Sequence, residues 1–252
     1  MIERALIFAA GRGERMRPLS DATPKPLLRV GGKHLIEWHL ENLAAAGVRR
    51  VVINTSHLAD QFPKALGDGS RWGLQIAYSY EGPKPLETGG GMLHALLMLG
   101  DAPYIAVNGD ILCDFAFSTL PQNPNGLAHL VLVDNPPQHP AGDFVLRNRL
   151  LEDDSAGAIA SSAPGQKLTF AGIGVYRPEL VAGHPPGVFS TVPLLRAAMA
   201  KGQVSGEHHP GFWTDVGTPE RLAALDKALH SRTGRQPERK ITGPGIRLPD
   251  TG

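Results

Sequence analysis

Two glycines one residue apart, Gly11 and Gly13, are followed by Arg15 and then by Lys25. Glycine leaves backbone N–H groups unshielded, and in a tight loop such donors converge on an anion. The two cations are what a phosphate chain needs and a plain turn does not. This stretch reads as a polyphosphate grip. Farther along, Asn108-Gly109-Asp110 brings a carboxylate to the end of an apolar run. Asp110 could simply cap the next segment. Set opposite a phosphate grip, however, a lone carboxylate would repel the substrate, and Mg²⁺ resolves the conflict because it prefers one or two carboxylates plus phosphate oxygens and water.

The elements that must carry these groups are legible as alternating patterns. Ala5-Leu6-Ile7-Phe8 is a short apolar run of the buried-strand kind, so the glycines fall where a first strand ends and ligands collect. Helical spacing from Leu35 to Ala46, closed by Gly47, precedes a strand at Val51-Val52-Ile53. Ser56 is expected to cap a helix carrying Leu58, Phe62 and Leu66, and further strands are expected at Leu74 to Tyr80, Tyr104 to Val107 and Leu127 to Val133. This alternation predicts an α/β fold with a Rossmann-like, mostly parallel mixed sheet flanked by helices. Glu87-Thr88-Gly89-Gly90-Gly91 reads as a loop before a helix from Met92 to Leu99. Three successive glycines are costly in chain entropy, and a planar base sliding against bare backbone is one reason to keep them.

After Pro136 the parallel alternation is lost, and residues 136–212 read as a smaller α+β portion laid over the carboxyl edge of the sheet. Thr218 as N-cap and Pro219 in the first turn predict a last helix to about His230, with a flexible tail over 231–252. The expected organisation is one domain, 1–230, with a nucleotide-binding part at 1–135, the portion at 136–212 and a return to the site at 213–230. Charged residues make up 19% and the formal net charge is +1, which gives no electrostatic footprint for nucleic acid. No segment approaches the roughly 20 apolar residues needed to span a bilayer. The single cysteine, Cys113, allows no internal disulfide and suits a cytoplasmic protein.

Other glycine-loop readings fail on spacing. A dinucleotide fingerprint needs a third glycine where Met16 stands, and a Walker-type loop needs Gly-Lys-Ser/Thr, which is absent. A structural turn with solvated arginines remains open for the loop taken alone. The pattern Ala9-Ala10-Gly11-x-Gly13-x-Arg15-Met16-x-Pro18-Leu19 with Pro24-Lys25-Pro26 resembles the signature of the sugar-1-phosphate nucleotidylyltransferases. Matches extend from the first strand to about Leu229 and include Gly109-Asp110 and Trp213-x-Asp215-x-Gly217-Thr218.

The resemblance implies transfer of a nucleoside monophosphate, UMP from UTP, to a sugar 1-phosphate, with pyrophosphate released and Mg²⁺ as cofactor. Its detailed pattern implies N-acetylmuramate 1-phosphate as the acceptor, in bacterial cell-wall sugar recycling. Mannose 1-phosphate or glucose 1-phosphate, and a non-catalytic nucleotide-sugar sensor, are the alternatives. Carried over by motif, the catalytic set is Arg15, Lys25 and Asp110. The nucleotide set is Ala10, Gly11, Gly13, Arg15, Lys25, Glu87, Gly89, Gly90 and Asn108. Asp110 and Asp215 would share the metal, and Gly142 and Gly172, within a sugar-binding part at 136–212, would touch the sugar. The glutamate of a Glu-Lys-Pro segment that grips sugar hydroxyls in many relatives is not reproduced by Glu152-Asp153-Asp154. N-acetylmuramate carries a lactyl carboxylate, for which Arg147, Arg149 and Lys167 are candidate partners.

Overall fold

The computed structural model describes residues 1–154 and 165–233. Strand β1 (Arg4–Phe8) turns Ala5 and Ile7 into one core and Leu6 into another, as a strand buried on both faces must. After a short helix α1 (Leu19–Ala22), a ribbon of β2 (Arg29–Val30) and β3 (Lys33–His34) leads into α2 (Leu35–Ala45). That helix lays Ile36, Leu40 and Leu43 on the first core and stops where Gly47 takes φ 88°. Strands β4 (Arg50–Thr55), β5 (Gln75–Tyr80) and β6 (Tyr104–Asn108) follow, with α3 (Gln61–Leu66) on the first core and α4 (Glu87–Leu99) on the second. β5, β4, β1 and β6 lie side by side and parallel, with Phe8 opposite both Asn54 and Asn108. Their carboxyl ends therefore share one edge.

The remaining strands are β7 (Ile111–Cys113), β8 (Ala128–Val133), β9 (Phe144–Arg147), β10 (Leu150–Glu152), β11 (Gln166–Tyr176), β12 (Val204–His209) and β13 (Trp213–Asp215), with α5 (Val192–Met199) and α6 (Pro219–Thr233). Among the described residues the main sheet has nine strands, in the order β5-β4-β1-β6-β11-β8-β12-β10-β9. β11 enters antiparallel between β6 and β8, and its outer end also pairs with β9. A register shift between Phe170 and Ile173 bends β11 so that it serves both partners. The extra pairing closes β11, β8, β12, β10 and β9 into a ring, with Leu130, Leu132, Phe144, Leu151 and Leu168 in one core.

The α/β fold with a mixed sheet is as expected, but the boundary near 136 is not a break between layers. β9 to β12 join the same sheet, and the ring they form borrows β8 from the first part. Ser56 does not cap α3, since its hydroxyl donates to the Gly82 carbonyl at 2.7 Å. α3 begins at Gln61, beyond a turn in which Leu58 takes φ 51°. The triple glycine is not a loop either, because α4 begins at Glu87 and runs through it. The reason is close packing: a Cβ at Gly89 would strike the Phe189 ring, one at Gly90 the Gly187 carbonyl, and one at Gly91 the side chains of Glu81 and Asn54. At the C-terminal end α6 continues to Thr233, and the expected tail over 234–252 lies outside the described residues.

A third core, made of Met16, Leu28, Val30, Leu35, Leu112, Val216, Leu225 and Leu229, fastens the first loop to the last helix. Fully burying a side chain such as Met16 is worth roughly 1.5–3 kcal/mol. This cluster brings the C-terminal segment back to the N-terminal glycines.

Candidate active site

Beyond β1 the chain makes a short 3-10 turn over Glu14–Met16, entered through Gly13 at φ 62°. The Ser20 hydroxyl donates to the Gly13 carbonyl at 2.8 Å, and a Cβ on Gly13 would sit 3.3 Å from Lys25 Cβ. Gly13 thus rests directly on the stem of Lys25. Gly11, by contrast, would direct a Cβ into open space. The loop is pinned from beneath and bare on its outer side.

That outer side faces a crevice of about 610 Å³ at the carboxyl edge, within the usual size range of small-molecule sites. Ala10, Gly11, Gly13, Arg15, Lys25, Glu87, Asn108 and Asp110 all line it, so most of the site residues expected from sequence come together. Lys25 is buried, and its Nζ lies 2.6 Å from Asp110 Oδ2. Arg12 and Arg15 are exposed and have no acidic partner among the described residues. Two unneutralised guanidinium groups at the mouth of a glycine-lined crevice suit a multiply charged anion.

Asp215 reaches the same neighbourhood through backbone pairing. β13 lies antiparallel to β7 with Asp215 opposite Ile111, and the Val216 N–H donates to the Asp110 carbonyl at 2.8 Å. Asp215 Oδ1 accepts from Gln138 Nε2 at 2.8 Å and from Arg221 at the start of α6. Gly217 permits this, since a Cβ there would lie 2.7 Å from Asp215 Oδ2. Asp110 Oδ1 and Asp215 Oδ2 accept no hydrogen bond among the described residues, which leaves one free oxygen on each carboxylate. Asp110 lines the crevice and Asp215 does not, although Gly217, two residues on, does; two carboxylates are what Mg²⁺ takes from a protein when phosphate and water supply the rest.

Other expected residues stand outside the crevice. The N–H groups of Gly89 and Gly90 both donate to the Phe189 carbonyl, at 2.9 and 3.0 Å. Gly172, at φ 75°, packs on the Asn108 side chain, and Gly142, at φ 62°, packs on Asn135. Arg147 is held by both oxygens of Glu152, at 3.1 and 2.9 Å, and Lys167 lies 3.8 Å from Asp154. Arg149 sits in the β9–β10 turn at φ 65°. None of these three cations lines the crevice.

Sequence reasoning passed over Asn54 and Glu81, and gave no site role to Thr88 or Gly217 within the motifs that hold them; all four line the crevice. Asn54 had a readable signal, being a polar residue near the end of a buried strand, on the edge where ligands bind. Glu81 is buried, and burial raises its carboxyl pKa, opposed by bonds from the Leu86 N–H and Asn54. His39, on α2, stacks on Phe117 with ring centroids 6.4 Å apart. Burial lowers its pKa from 6.5 to about 4, with smaller opposing effects from the Ile111 backbone and Asp110. Cys113 is also buried, and desolvation pushes its thiol up to about 12, which removes it as a nucleophile.

Among the described residues, a nine-stranded sheet carries at its carboxyl edge a glycine-loop crevice with two exposed arginines and a Lys25–Asp110 pair, an arrangement suited to a phosphate-bearing ligand. Residues 4–144 match the family model described as nucleotidyl transferase, and the chain belongs to that family. It is 50% identical to N-acetylmuramate alpha-1-phosphate uridylyltransferase of Neisseria meningitidis serogroup B, over 87% of this chain and 95% of the relative. The enzyme of the same name from Caulobacter vibrioides is 34% identical over 89% and 96%. Among solved structures, the inositol-1-phosphate CTP transferase of T. maritima superposes with a TM-score of 0.72 at 18% identity, over 92% of this chain and 96% of that one, a likeness of fold.

Proposed function

We propose that this chain transfers UMP from UTP to N-acetylmuramate 1-phosphate, releasing pyrophosphate and forming the UDP-sugar. One observation carries the reading: Lys25 and Asp110, joined at 2.6 Å, stand beneath a bare glycine loop flanked by Arg12 and Arg15, which meet no acidic side chain among the described residues. The choice of base and sugar is supported by the names of the two relatives above. The reading sets the reaction in the bacterial cytoplasm, where nucleoside triphosphates are made and a cysteine such as Cys113 stays reduced.

The chemistry asks little covalent work of the protein. The sugar 1-phosphate is already ionised at neutral pH, so its oxygen needs no general base to attack the α-phosphorus. The new bond joins that oxygen to phosphorus, and the bond to the bridging oxygen breaks as pyrophosphate leaves from the opposite side. Charge repulsion between the two anions is the obstacle, and fixed cations remove it. Arg15 holds the departing pyrophosphate, and Lys25 neutralises charge on the α-phosphate while Asp110 keeps its ammonium in place. N–H groups around Gly11 and Gly13 cradle the phosphates. Asp110 and Asp215 would hold Mg²⁺, which supplies Lewis-acid neutralisation of phosphate oxygens when bound.

The test is pyrophosphate release from purified protein offered UTP with N-acetylmuramate 1-phosphate. Sustained release is expected, and its absence with this pair but not with others would overturn the choice of substrate.

A further inference from the structure

Between the glycine loop and the start of α4 runs a buried chain of hydrogen bonds that the transfer chemistry leaves unused. The Ala9 N–H, on the last residues before Gly11, donates to Asn54 Oδ1 at 2.6 Å. Asn54 Nδ2 donates to Glu81 Oε1 at 2.7 Å, and Glu81 Oε2 accepts the Leu86 N–H at 2.7 Å. Asn54 and Glu81 are both buried and both line the crevice. The relay therefore ties the loop of the phosphate grip to the residue preceding Glu87, on the opposite wall. Gly91 completes it, because a Cβ there would lie 2.5 Å from Glu81 Oε1 and 2.7 Å from Asn54 Nδ2. At Glu87 the backbone takes φ 61°, a left-handed conformation that costs a non-glycine residue of order 1–3 kcal/mol and persists only where its surroundings hold it.

The residue types are dictated by donors and acceptors. Ala9 and Leu86 each present an N–H, so the two side chains between them must together offer two acceptors outward and one bond inward. Asn54 with Glu81 meets that requirement. A glutamine in place of Glu81 does not, because its amide must point its NH₂ either at Asn54 Nδ2 or at the Leu86 N–H. Flipping Asn54 only moves the clash to Ala9.

We propose that Asn54 and Glu81 are positioning residues that set the distance between the two walls of the nucleotide site, and so govern triphosphate affinity without touching the reacting atoms. The proposal rests on the nucleotidyl-transfer reading above, and it has a test that separates the two. In Glu81→Gln a buried donor is left without an acceptor, and UTP binding should weaken about tenfold or more. Asn54→Asp sets two buried carboxylates together and should weaken it similarly. The double variant Asn54→Asp/Glu81→Gln restores every bond. Its carboxylate, now on β4, accepts from the Ala9 N–H and from the new amide, and the oxygen of that amide accepts from the Leu86 N–H. Calorimetric UTP binding, melting temperature and the KM for each substrate are measured for all four proteins. Support is recovery of UTP affinity in the double variant to within about threefold of the parent, with the sugar-phosphate KM of the singles little changed. Singles that bind UTP like the parent, a double variant no better than the singles, or singles that lose only melting temperature would overturn the proposal. A parent protein that binds UTP but releases no pyrophosphate contradicts the transfer reading alone. A parent that binds no nucleoside triphosphate overturns both.

Discussion

Lys25 Nζ and Asp110 Oδ2, separated by 85 positions in sequence, lie 2.6 Å apart at the floor of the crevice. Each answers a need of the other. The carboxylate fixes a lysine that would otherwise be a buried unpaired charge, and the ammonium offsets a carboxylate that would repel phosphate. Lys25→Ala and Asp110→Ala should each lower kcat on the order of 10²–10³-fold, by analogy with loss of one preorganised charge-stabilising donor. Their combination should cost much less than the product, because both belong to one unit. Steady-state kinetics on the three variants check this, and independent multiplicative losses would contradict it.

Removal of divalent cations with EDTA should abolish turnover, and excess Mg²⁺ should restore the parent protein but not Asp110→Ala. Asp215→Asn should raise the Mg²⁺ concentration needed for half-maximal rate, since it removes the charge of one of the two carboxylates proposed to hold the ion. A Mg²⁺ titration of rate reads both effects.

The glycines separate by purpose. Gly11 has open space where a Cβ would go, so Gly11→Ala should leave the melting temperature within about a degree while raising the KM for UTP. A Cβ at Gly90 meets the Gly187 carbonyl, so Gly90→Ala should destabilise by about 1–3 kcal/mol, whatever its effect on the substrate. Thermal melts paired with kinetics distinguish the two.

His39 makes the fold sensitive to acid. Its folded pKa is about 4 against 6.5 unfolded, so between those values the unfolded chain binds a proton that the folded one does not. Stability then rises with pH across that window and is lost as pH falls, by up to about 3 kcal/mol. His39→Phe, which keeps the stack on Phe117, should flatten the pH 4 to 6.5 part of a melting-temperature profile.

The glycine loop, Lys25 and Asp110 were legible because their chemistry is local: residue type and strand-end position announce it. Asp215 was legible only through its family motif, since nothing in its own neighbourhood says that β13 will pair with β7. What sequence reading missed was non-local packing. Gly89, Gly90 and Gly91 look like a loop until Phe189, Gly187 and Glu81 are seen to crowd them. The portion after Pro136 looks separate until β11 is seen to bend and close a ring with β8. Arg147 and Lys167 look like free cations until their acidic partners, Glu152 and Asp154, are seen beside them.

The most direct measurement is kcat/KM for pyrophosphate release across UTP, GTP and CTP, each with N-acetylmuramate, N-acetylglucosamine, mannose and glucose 1-phosphates, in the parent and in Lys25→Ala. The highest value is expected for UTP with N-acetylmuramate 1-phosphate, falling on the order of 10²–10³-fold in the variant. A preference for GTP with mannose 1-phosphate, or near-parental turnover by Lys25→Ala, would contradict the account.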